Sequence, residues 1–145
     1  MSPNSAAEVN KIVRLLNLTG TTEGFLTGNL VVHKDDFLHF AFHPHSGFDF
    51  REVEPGVYEH WVVRKEKWSL FQGIFHTFPD AQEINLKDLY VKHPTKQDHW
   101  LYWGRSDDII ALNDGIKISP SNIEATISAH HAISACLMVS ISLHM

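Results

Sequence analysis

The sequence predicts a mixed α/β (α+β) fold in which short antiparallel, barrel-like strands lie between two helices. Residues 37–42, 48–53 and 57–63 are rich in aromatic and β-branched residues, and the turn-forming segments HPHSG and EPG separate them. Short strands at this spacing favour a small antiparallel sheet or part of a barrel. Helical periodicity near the N-terminus and a Ser-Pro pair at 119–120 predict the two helices.

The first helix is predicted over residues 6–16. Ser5 and Glu8 have the spacing of a capping box, in which a hydroxyl and a carboxylate each bind a free backbone N–H. Apolar residues then recur at positions 9, 12, 13 and 16, which is the spacing of one helical face. The next residues, NLTGTTEG at 17–24, are crowded with Thr and Gly and predict a loop.

Strands are also predicted in the second half of the chain. Residues 68–84 carry a proline in FHTFPD that disfavours both helix and strand, so we interpret them as a loop. Residues 89–91 and 100–103 predict two strands joined by the polar segment HPTKQD. An apolar run predicts a last strand over 135–141.

A hairpin and a second helix are predicted between these strands. Residues 109–112 and 116–118 flank Asn-Asp-Gly at 113–115, a sequence that suits a tight turn because Asp and Gly tolerate a positive φ. Ser119 can cap the helix that follows, and Pro120 suits its first position.

Composition and charge limit the class of protein. A chain of 145 residues suits one ordinary domain or part of a larger one. Its formal net charge is −5 and it has no cluster of Lys and Arg, which disfavours nucleic acid and anionic membranes as partners. The single Cys136 cannot form an internal disulfide, so we expect a reducing, cytoplasmic setting. No apolar run has the length that a membrane span needs.

Eleven histidines raise the question of a metal site. His43 and His45 are two residues apart, and His130 and His131 are adjacent. The chain has no HExxH or CxxC motif that would complete a zinc shell. We therefore interpret these histidines as ordinary surface and turn residues.

Paired carboxylates at 35–36 and 107–108 do not form an acid/base dyad in this interpretation. Adjacent residues of an extended chain point to opposite faces, so neither pair converges on one atom.

The loop at 20–24, Gly-Thr-Thr-Glu-Gly, has the groups of a phosphate site. Hydroxyls and backbone amides in such a loop can bind phosphate oxygens, and a neighbouring carboxylate, here Glu23, can hold Mg²⁺. Loops of Thr and Gly are also common as simple turns, and that alternative stays open.

Three segments, in order along the chain, resemble successive motifs of the adenylate-forming enzymes. They are NLTGTTE at 17–23, INLKDLY at 84–90 and GRSDDIIALNDGIKISPSNIE at 104–124. This superfamily holds acyl-CoA synthetases, luciferase-like ligases and the adenylation domains of nonribosomal peptide synthetases (NRPS). The intervening segments HPHSGFDFRE, GIFHTFPD and KHPTKQDHWLYWGRSDDII look like its fungal branch of NRPS-like enzymes and carboxylic acid reductases.

The resemblance implies a role for each of four residues in nucleotide binding. Thr22 would contact the α-phosphate of the adenylate, and Glu23 would bind magnesium. Asp88 would hydrogen-bond the ribose hydroxyls. Arg105 would contact the nucleotide, and its guanidinium suits a phosphate or a ribose diol.

It also implies a hinge and two departures from the family pattern. Asp107 matches the hinge about which a small lid rotates between two half-reactions, and Gly115 matches the glycine that lets a pantetheine arm approach. Thr19 stands where the family has an aromatic residue that stacks on adenine, and Lys87 stands where it has glycine.

By the same resemblance, residues 1–103 are the C-terminal part of an adenylation large subdomain, and residues 104–145 are the hinge and the beginning of the C-terminal lid. The implied chemistry joins a carboxylic acid to ATP, giving an acyl-adenylate and pyrophosphate. A thiol acceptor, phosphopantetheine or CoA, then captures the acyl group. Catalysis of this kind depends mainly on positioning and charge neutralisation.

The phosphate loop that ends in Lys and the lysine of the lid are expected outside this chain. We therefore expect a fragment of a larger enzyme with no activity of its own. Two alternatives stay open, namely a non-catalytic interaction fragment or decayed paralogue and, with less support, a histidine-dependent metal binder.

Overall fold

The structure is a computed structural model that describes residues 3–25, 29–111 and 116–139. Its strands and α-helices follow in this order: α1 (Pro3–Ile12), β1 (Asn29–Leu30), β2 (His39–Phe42), β3 (Phe48–Glu54), β4 (Val57–Val63), α2 (Ile74–Thr77), β5 (Glu83–Lys92), β6 (Trp100–Arg105), β7 (Ile110–Ala111), β8 (Lys117–Ile118) and α3 (Pro120–Ser128). Short 3-10 turns lie at Lys34–Asp36, Pro44–Ser46 and Glu66–Phe71. None of the helices in these ranges is long and apolar enough to cross a membrane.

Six strands form one antiparallel sheet in the order β1-β2-β6-β5-β4-β3, and β7 pairs with β8. In a flat sheet, four spacings of about 4.8 Å would put β2 about 19 Å from β3. Only residues 43–47 join these two strands, and they contain a 3-10 turn, so the sheet must curl. The Phe42 ring indeed lies 5.8 Å from the Phe48 ring and 5.3 Å from the Phe50 ring. The prediction of a mixed fold with antiparallel, barrel-like strands is therefore confirmed.

Aromatic side chains fill the inside of the curled sheet. Phe50 stacks on Trp100 with ring centroids 3.9 Å apart, and Phe42 packs edge-on against Tyr90 at 5.6 Å. A second cluster of buried residues lies against α2 and consists of Phe25, Val62, Ile74, Phe75 and Leu86. The fully buried His60 contacts both clusters, through Phe50 at 4.8 Å and Phe25 at 6.3 Å.

The first helix begins and ends earlier than predicted. It runs over Pro3–Ile12 instead of 6–16, so Ser5 lies inside the helix and not at its cap. The buried side chain of Asn10 accepts a hydrogen bond from the Leu15 backbone N–H at 3.1 Å and donates one to the Lys34 carbonyl at 3.0 Å. These bonds hold the chain that leaves the helix, and in this segment Leu16 is 55% exposed.

The prediction of a loop over residues 68–84 was wrong in part, because a 3-10 turn, α2 and the start of β5 occupy much of it. The hydrogen bonds of the buried Gln72 side chain explain why this segment is not a simple loop. Its amide accepts from the Lys65 N–H at 2.8 Å and donates to the Val63 carbonyl at 2.9 Å. Arg64 donates to the Pro79 carbonyl at 2.6 Å and the Ala81 carbonyl at 2.9 Å, so the carbonyls that follow α2 have partners.

The predicted C-terminal elements are confirmed in part. The pairing of β7 with β8 confirms the hairpin, while its turn at 113–115 lies outside the described residues. Pro120 begins α3 as expected, but Ser119 makes no side-chain bond to the helix backbone. The last strand was wrong over 135–139, which is irregular and is held by a 2.7 Å bond from the Met138 N–H to the Glu124 carboxylate. Residues 140–141 lie outside the described ranges.

Candidate functional site

A cavity of about 600 Å³ opens between the loop at 20–23, the β5–β6 pair and α2. Four residues singled out in the sequence line it, although 83 positions separate the first from the last: Thr22, Glu23, Asp88 and Arg105. The other lining residues are Thr19, Gly20, Thr21, Ile74, Phe78, Ile84, Asn85, Leu86, Lys87 and Tyr102. The fold thus brings residues of all three motifs to one site.

The loop is fastened at both of its ends. The Thr21 N–H donates to the Phe25 carbonyl at 2.7 Å, and Phe25 is buried in the core. Gly24 turns the chain with a φ of 93°, a conformation that favours glycine. The Thr77 hydroxyl of α2 donates to the Glu23 carbonyl at 2.8 Å. These contacts leave the Thr22 and Glu23 side chains exposed at the cavity.

The Glu23 carboxylate fits the expected magnesium site. Hydrogen bonding by its own backbone N–H lowers the pKa of this carboxyl below its usual value, and the positive charge of Arg105 lowers the pKa further. Glu23 is therefore ionised at neutral pH. Magnesium is usually bound in proteins by one or two carboxylates together with phosphate oxygens and water, so a single exposed carboxylate beside a phosphate would suit it.

Asp88 and Arg105 face each other across neighbouring strands. They are directly paired in the register of β5 and β6, and Arg105 Nη1 lies 3.6 Å from Asp88 Oδ1. The Asp88 side chain is only 15% exposed. Burial raises the pKa of Asp88, and the charge of Arg105 opposes that rise. The carboxylate is thus poorly hydrated and can accept hydrogen bonds from a hydroxyl-bearing ligand.

Arg105 is held at the cavity by Asp107. Arg105 Nε lies 2.9 Å from Asp107 Oδ1, and Arg105 Nη2 lies 2.8 Å from Asp107 Oδ2, which is a bidentate ion pair. The hydrogen bonds from Arg105 lower the pKa of Asp107, and those to Asp107 raise the pKa of Arg105. Asp107 itself does not line the cavity, and its role as a hinge stays a prediction.

The residue before Asp107 anchors the chain where it leaves the sheet. The Ser106 N–H donates to the Lys87 carbonyl at 2.7 Å, and the Ser106 hydroxyl donates to Glu59 Oε1 at 2.8 Å. Glu59 is buried, and its other oxygen accepts from the Trp61 indole at 3.1 Å. A pivot at 107 would therefore begin directly after a fixed point. The boundary at 103/104 stays a prediction, and Gly115 lies outside the described residues.

Lys87 adopts a backbone that normally favours glycine. Its φ is 65°, in the left-handed region that side chains other than glycine rarely occupy. The Asn85 side chain accepts from the Lys87 N–H at 2.7 Å, and the Lys87 carbonyl accepts from Ser106. A glycine, as the family pattern has at this position, would adopt this backbone with less strain than Lys87 does.

Two aromatic side chains line the cavity that the sequence prediction did not single out. Tyr102 is 45% exposed and Phe78 is 42% exposed, and both contribute to the wall. The signal for Tyr102 was its place in the strand motif WLYWGR, three residues before Arg105. Register shifts near Leu89 and the φ of 155° at Gly104 bring Tyr102 and Arg105 to the same cavity, and neither irregularity can be seen in the pattern.

The histidines singled out in the sequence lie in turns. The His43 Nδ1 atom accepts from the His45 N–H at 3.2 Å, and the His130 Nδ1 atom accepts from the Ala132 N–H at 3.2 Å. These rings therefore act as caps of local turns.

A different set has the geometry for a metal. In the described part of the chain, one ligand atom from each of Asp36, His39 and His93 lies within 4.8 Å of the others. Lys96 already donates to one oxygen of Asp36. His93 Nδ1 accepts the backbone N–H groups of Thr95 and Lys96, each at 3.1 Å. The proton of a neutral His93 ring is consequently on Nε2, facing Asp36 Oδ1 at 3.5 Å, so that this nitrogen lacks a free lone pair for a metal.

The chain is similar in sequence to several long fungal proteins. It is 54% identical over 138 residues to the isocyanide synthase-NRPS hybrid crmA of Aspergillus fumigatus, a match that covers 95% of this chain and 8% of that protein. It is 43% identical over 94 residues to a carboxylic acid reductase of Neurospora crassa, covering 64% of this chain and 9% of the relative. It is 30% identical over 138 residues to the adenylate-forming reductase Nps11 of Serpula lacrymans, covering 93% and 12%.

Two further comparisons complete the result. No family model matches the chain. Among solved structures, the crystal structure of the anthranilate CoA ligase AuaEII in complex with anthranoyl-AMP matches 63% of this chain and 19% of its own, at 23% identity and a TM-score of 0.39.

The sequence matches show the class of protein to which this chain is related. The chain is homologous to a segment of the adenylate-forming enzymes, as its three motifs predicted. More particularly, its homologues are fungal NRPS-like enzymes, carboxylic acid reductases and adenylate-forming reductases. The chain spans 8–12% of the length of these relatives and thus corresponds to a fragment of them.

Proposed function

We propose that the cavity binds an adenine nucleotide, as part of an enzyme that activates a carboxylic acid with ATP. The observation that carries this proposal is the convergence of Thr22, Glu23, Asp88 and Arg105 on one cavity of about 600 Å³. This is a suitable volume for a small-molecule ligand. The product would be an acyl-adenylate, which a phosphopantetheine or CoA thiol then captures.

Each residue would have a distinct role. The Asp88 carboxylate is desolvated and faces the cation of Arg105. It would accept hydrogen bonds from the ribose hydroxyls. Arg105 and the Thr22 hydroxyl would bind phosphate oxygens. Glu23 would hold magnesium, which supplies charge neutralisation for the phosphates when it is bound. Tyr102 or Phe78 would supply the aromatic surface that Thr19 lacks.

Nuclear magnetic resonance of the 145-residue chain tests the location of this site. Addition of AMP with Mg²⁺ should shift the backbone amide resonances of Thr22, Asp88 and Arg105 in a saturable way. The amide resonance of the exposed Lys67, which lies outside the cavity, should not shift. Saturable shifts confined to other parts of the chain would contradict the proposal. We expect no ATP–pyrophosphate exchange from the 145 residues alone, and measurable exchange that depends on Arg105 would show that this expectation is wrong.

A second candidate is a non-catalytic interaction role. Exposed apolar residues favour it, and five of them lie in two segments, at the end of α1 and at β1: Ile12, Val13, Leu16, Leu30 and Val31. β1 is also an edge of the sheet, where unpaired backbone groups attract other strands. A monodisperse monomer in size-exclusion chromatography with light scattering would contradict self-association through this surface.

A further inference from the structure

Four charged residues line the cavity, and they differ in whether they already have a partner. Arg105 is bound to Asp107 through two nitrogens, and its third nitrogen faces Asp88 and the Leu86 carbonyl. Lys87 is exposed and takes part in none of the ion pairs among the residues that the structure describes. An anionic ligand would therefore meet Arg105, which already has an ion-pair partner, and Lys87, which has none among the described residues.

The position of Lys87 is fixed even though its side chain is exposed. Its N–H is bound by the Asn85 side chain at 2.7 Å, and its carbonyl is bound by the Ser106 N–H at 2.7 Å. The Lys87 backbone is thereby tied to the residue that lies between Arg105 and Asp107 in the chain. Lys87 and Arg105 thus line the cavity from two neighbouring strands, β5 and β6.

We propose that Lys87 is a phosphate-binding residue of the cavity, in addition to Thr22 and Arg105. This inference rests on the proposed nucleotide function and adds to it a cation at a position where the family pattern has glycine. The ammonium group has three donors and no geometric preference, so it can bind phosphate oxygens that Arg105, with two of its nitrogens bound to Asp107, leaves without a partner.

A comparison of AMP with adenosine tests the contact, because the two ligands share the base and the ribose and differ in the charged phosphate. Lys87→Asn and Lys87→Gly remove the ammonium group, and both residues accept a left-handed backbone more readily than lysine. Their melting temperatures should equal or exceed that of the wild type, so weaker binding could not be ascribed to a damaged fold. Lys87→Arg keeps the charge, and Lys34→Gln removes one charge at an exposed site outside the cavity.

The expected result by isothermal titration calorimetry is a loss of about two- to fivefold in affinity for AMP in Lys87→Asn and Lys87→Gly, since an exposed charge pair contributes little. Adenosine affinity should not change in either variant, and Lys87→Arg and Lys34→Gln should bind AMP like the wild type. Unchanged AMP affinity in Lys87→Asn would overturn the inference and leave the proposed function standing. An equal loss for adenosine would overturn it too, since that would indicate a structural role. If the wild type bound neither ligand, the proposed function would fall and this inference with it.

Discussion

Arg105 and Asp107 form a bidentate ion pair at the edge of the cavity, with nitrogen–oxygen distances of 2.9 and 2.8 Å. Both residues lie in the segment where the resemblance places the hinge. The carboxylate of Asp107 occupies the donors that a phosphate would use. A movement of the backbone at 107 would therefore change how many Arg105 donors are free for a nucleotide.

The first prediction follows from this competition. Asp107→Asn should raise the affinity of the chain for AMP by about two- to fivefold, because the neutral amide competes less well for the guanidinium. Titration calorimetry at low ionic strength measures the change. Asp108→Asn makes the same change of net charge at an exposed neighbour and should have a smaller effect. Weaker AMP binding in Asp107→Asn would show that Asp107 supports the nucleotide site and does not compete with it.

The second prediction concerns buried His60, whose two ring nitrogens have no hydrogen-bond partner among the residues that the structure describes. Burial lowers its pKa to about 4. The unfolded chain, with a pKa near 6.5, takes up the proton first as the pH falls. The free energy of unfolding should therefore decrease between pH 6.5 and 4, by about 3 kcal/mol in total, and this group should have no effect above about pH 7.

Urea denaturation at pH 7 and pH 4.5 tests this contribution of His60. In His60→Phe the loss of stability between these pH values should be smaller than in the wild type, while replacement of the exposed His76 by Gln should leave the loss unchanged. An equal loss in wild type and His60→Phe would show that His60 does not carry the effect.

The third prediction compares two glycines with similar backbones. Gly47 has a φ of 70°, and a Cβ there would lie 2.4 Å from the Val63 carbonyl oxygen and 2.1 Å from the Gln72 amide. Gly56 has a φ of 79°, and no atom of the described part of the chain lies within 4 Å of an added Cβ. Gly56→Ala should lower the free energy of unfolding by about 1 kcal/mol, because of the left-handed backbone alone. Gly47→Ala should lower it by about 3 kcal/mol or more, since the new Cβ also disturbs the contacts of Gln72. Similar losses in urea denaturation would contradict the packing at Gly47.

The fourth prediction concerns metal. The protonated Nε2 of His93 and the ammonium of Lys96 already face Asp36, so Zn²⁺ should not bind Asp36, His39 and His93 with a Kd below about 100 µM. A zinc titration followed by the histidine ring resonances tests this. Tight zinc binding that is lost in both His39→Ala and His93→Ala would contradict this prediction and support the metal-binding alternative.

The strands of the fold were easier to predict than its helix and loops. β4 has the predicted bounds, because five of its seven residues are aromatic or β-branched and they stand at both of its ends. β5 is ten residues long, but only 89–91 were predicted, since Asn85, Lys87 and Asp88 interrupt the pattern. The structure accommodates them with a left-handed Lys87, which no periodicity reveals. The end of α1 depends on Asn10, one of whose two partners, the Lys34 carbonyl, is distant in sequence.

The sequence singled out four residues that lie together in the structure, while their roles stay predictions. Thr22, Glu23, Asp88 and Arg105 line one cavity, as the order of the motifs suggested. Tyr102 and the free charge of Lys87 were missed as parts of the site, because their placement depends on strand register and on the partner that Arg105 has already taken. Strand register and ion-pair partners of this kind arise only in the folded chain, so a sequence pattern does not reveal them.

Calorimetry of AMP binding to the wild-type chain and to two variants tests the central claim most directly. We predict saturable binding of one AMP, which is weakened at least about tenfold by both Asp88→Asn and Arg105→Ala, as expected for lost hydrogen bonds to a charged group. Asp80→Asn, an exposed change outside the cavity, should bind like the wild type. The absence of saturable heat, or binding that neither Asp88→Asn nor Arg105→Ala alters, would contradict a nucleotide site in this cavity.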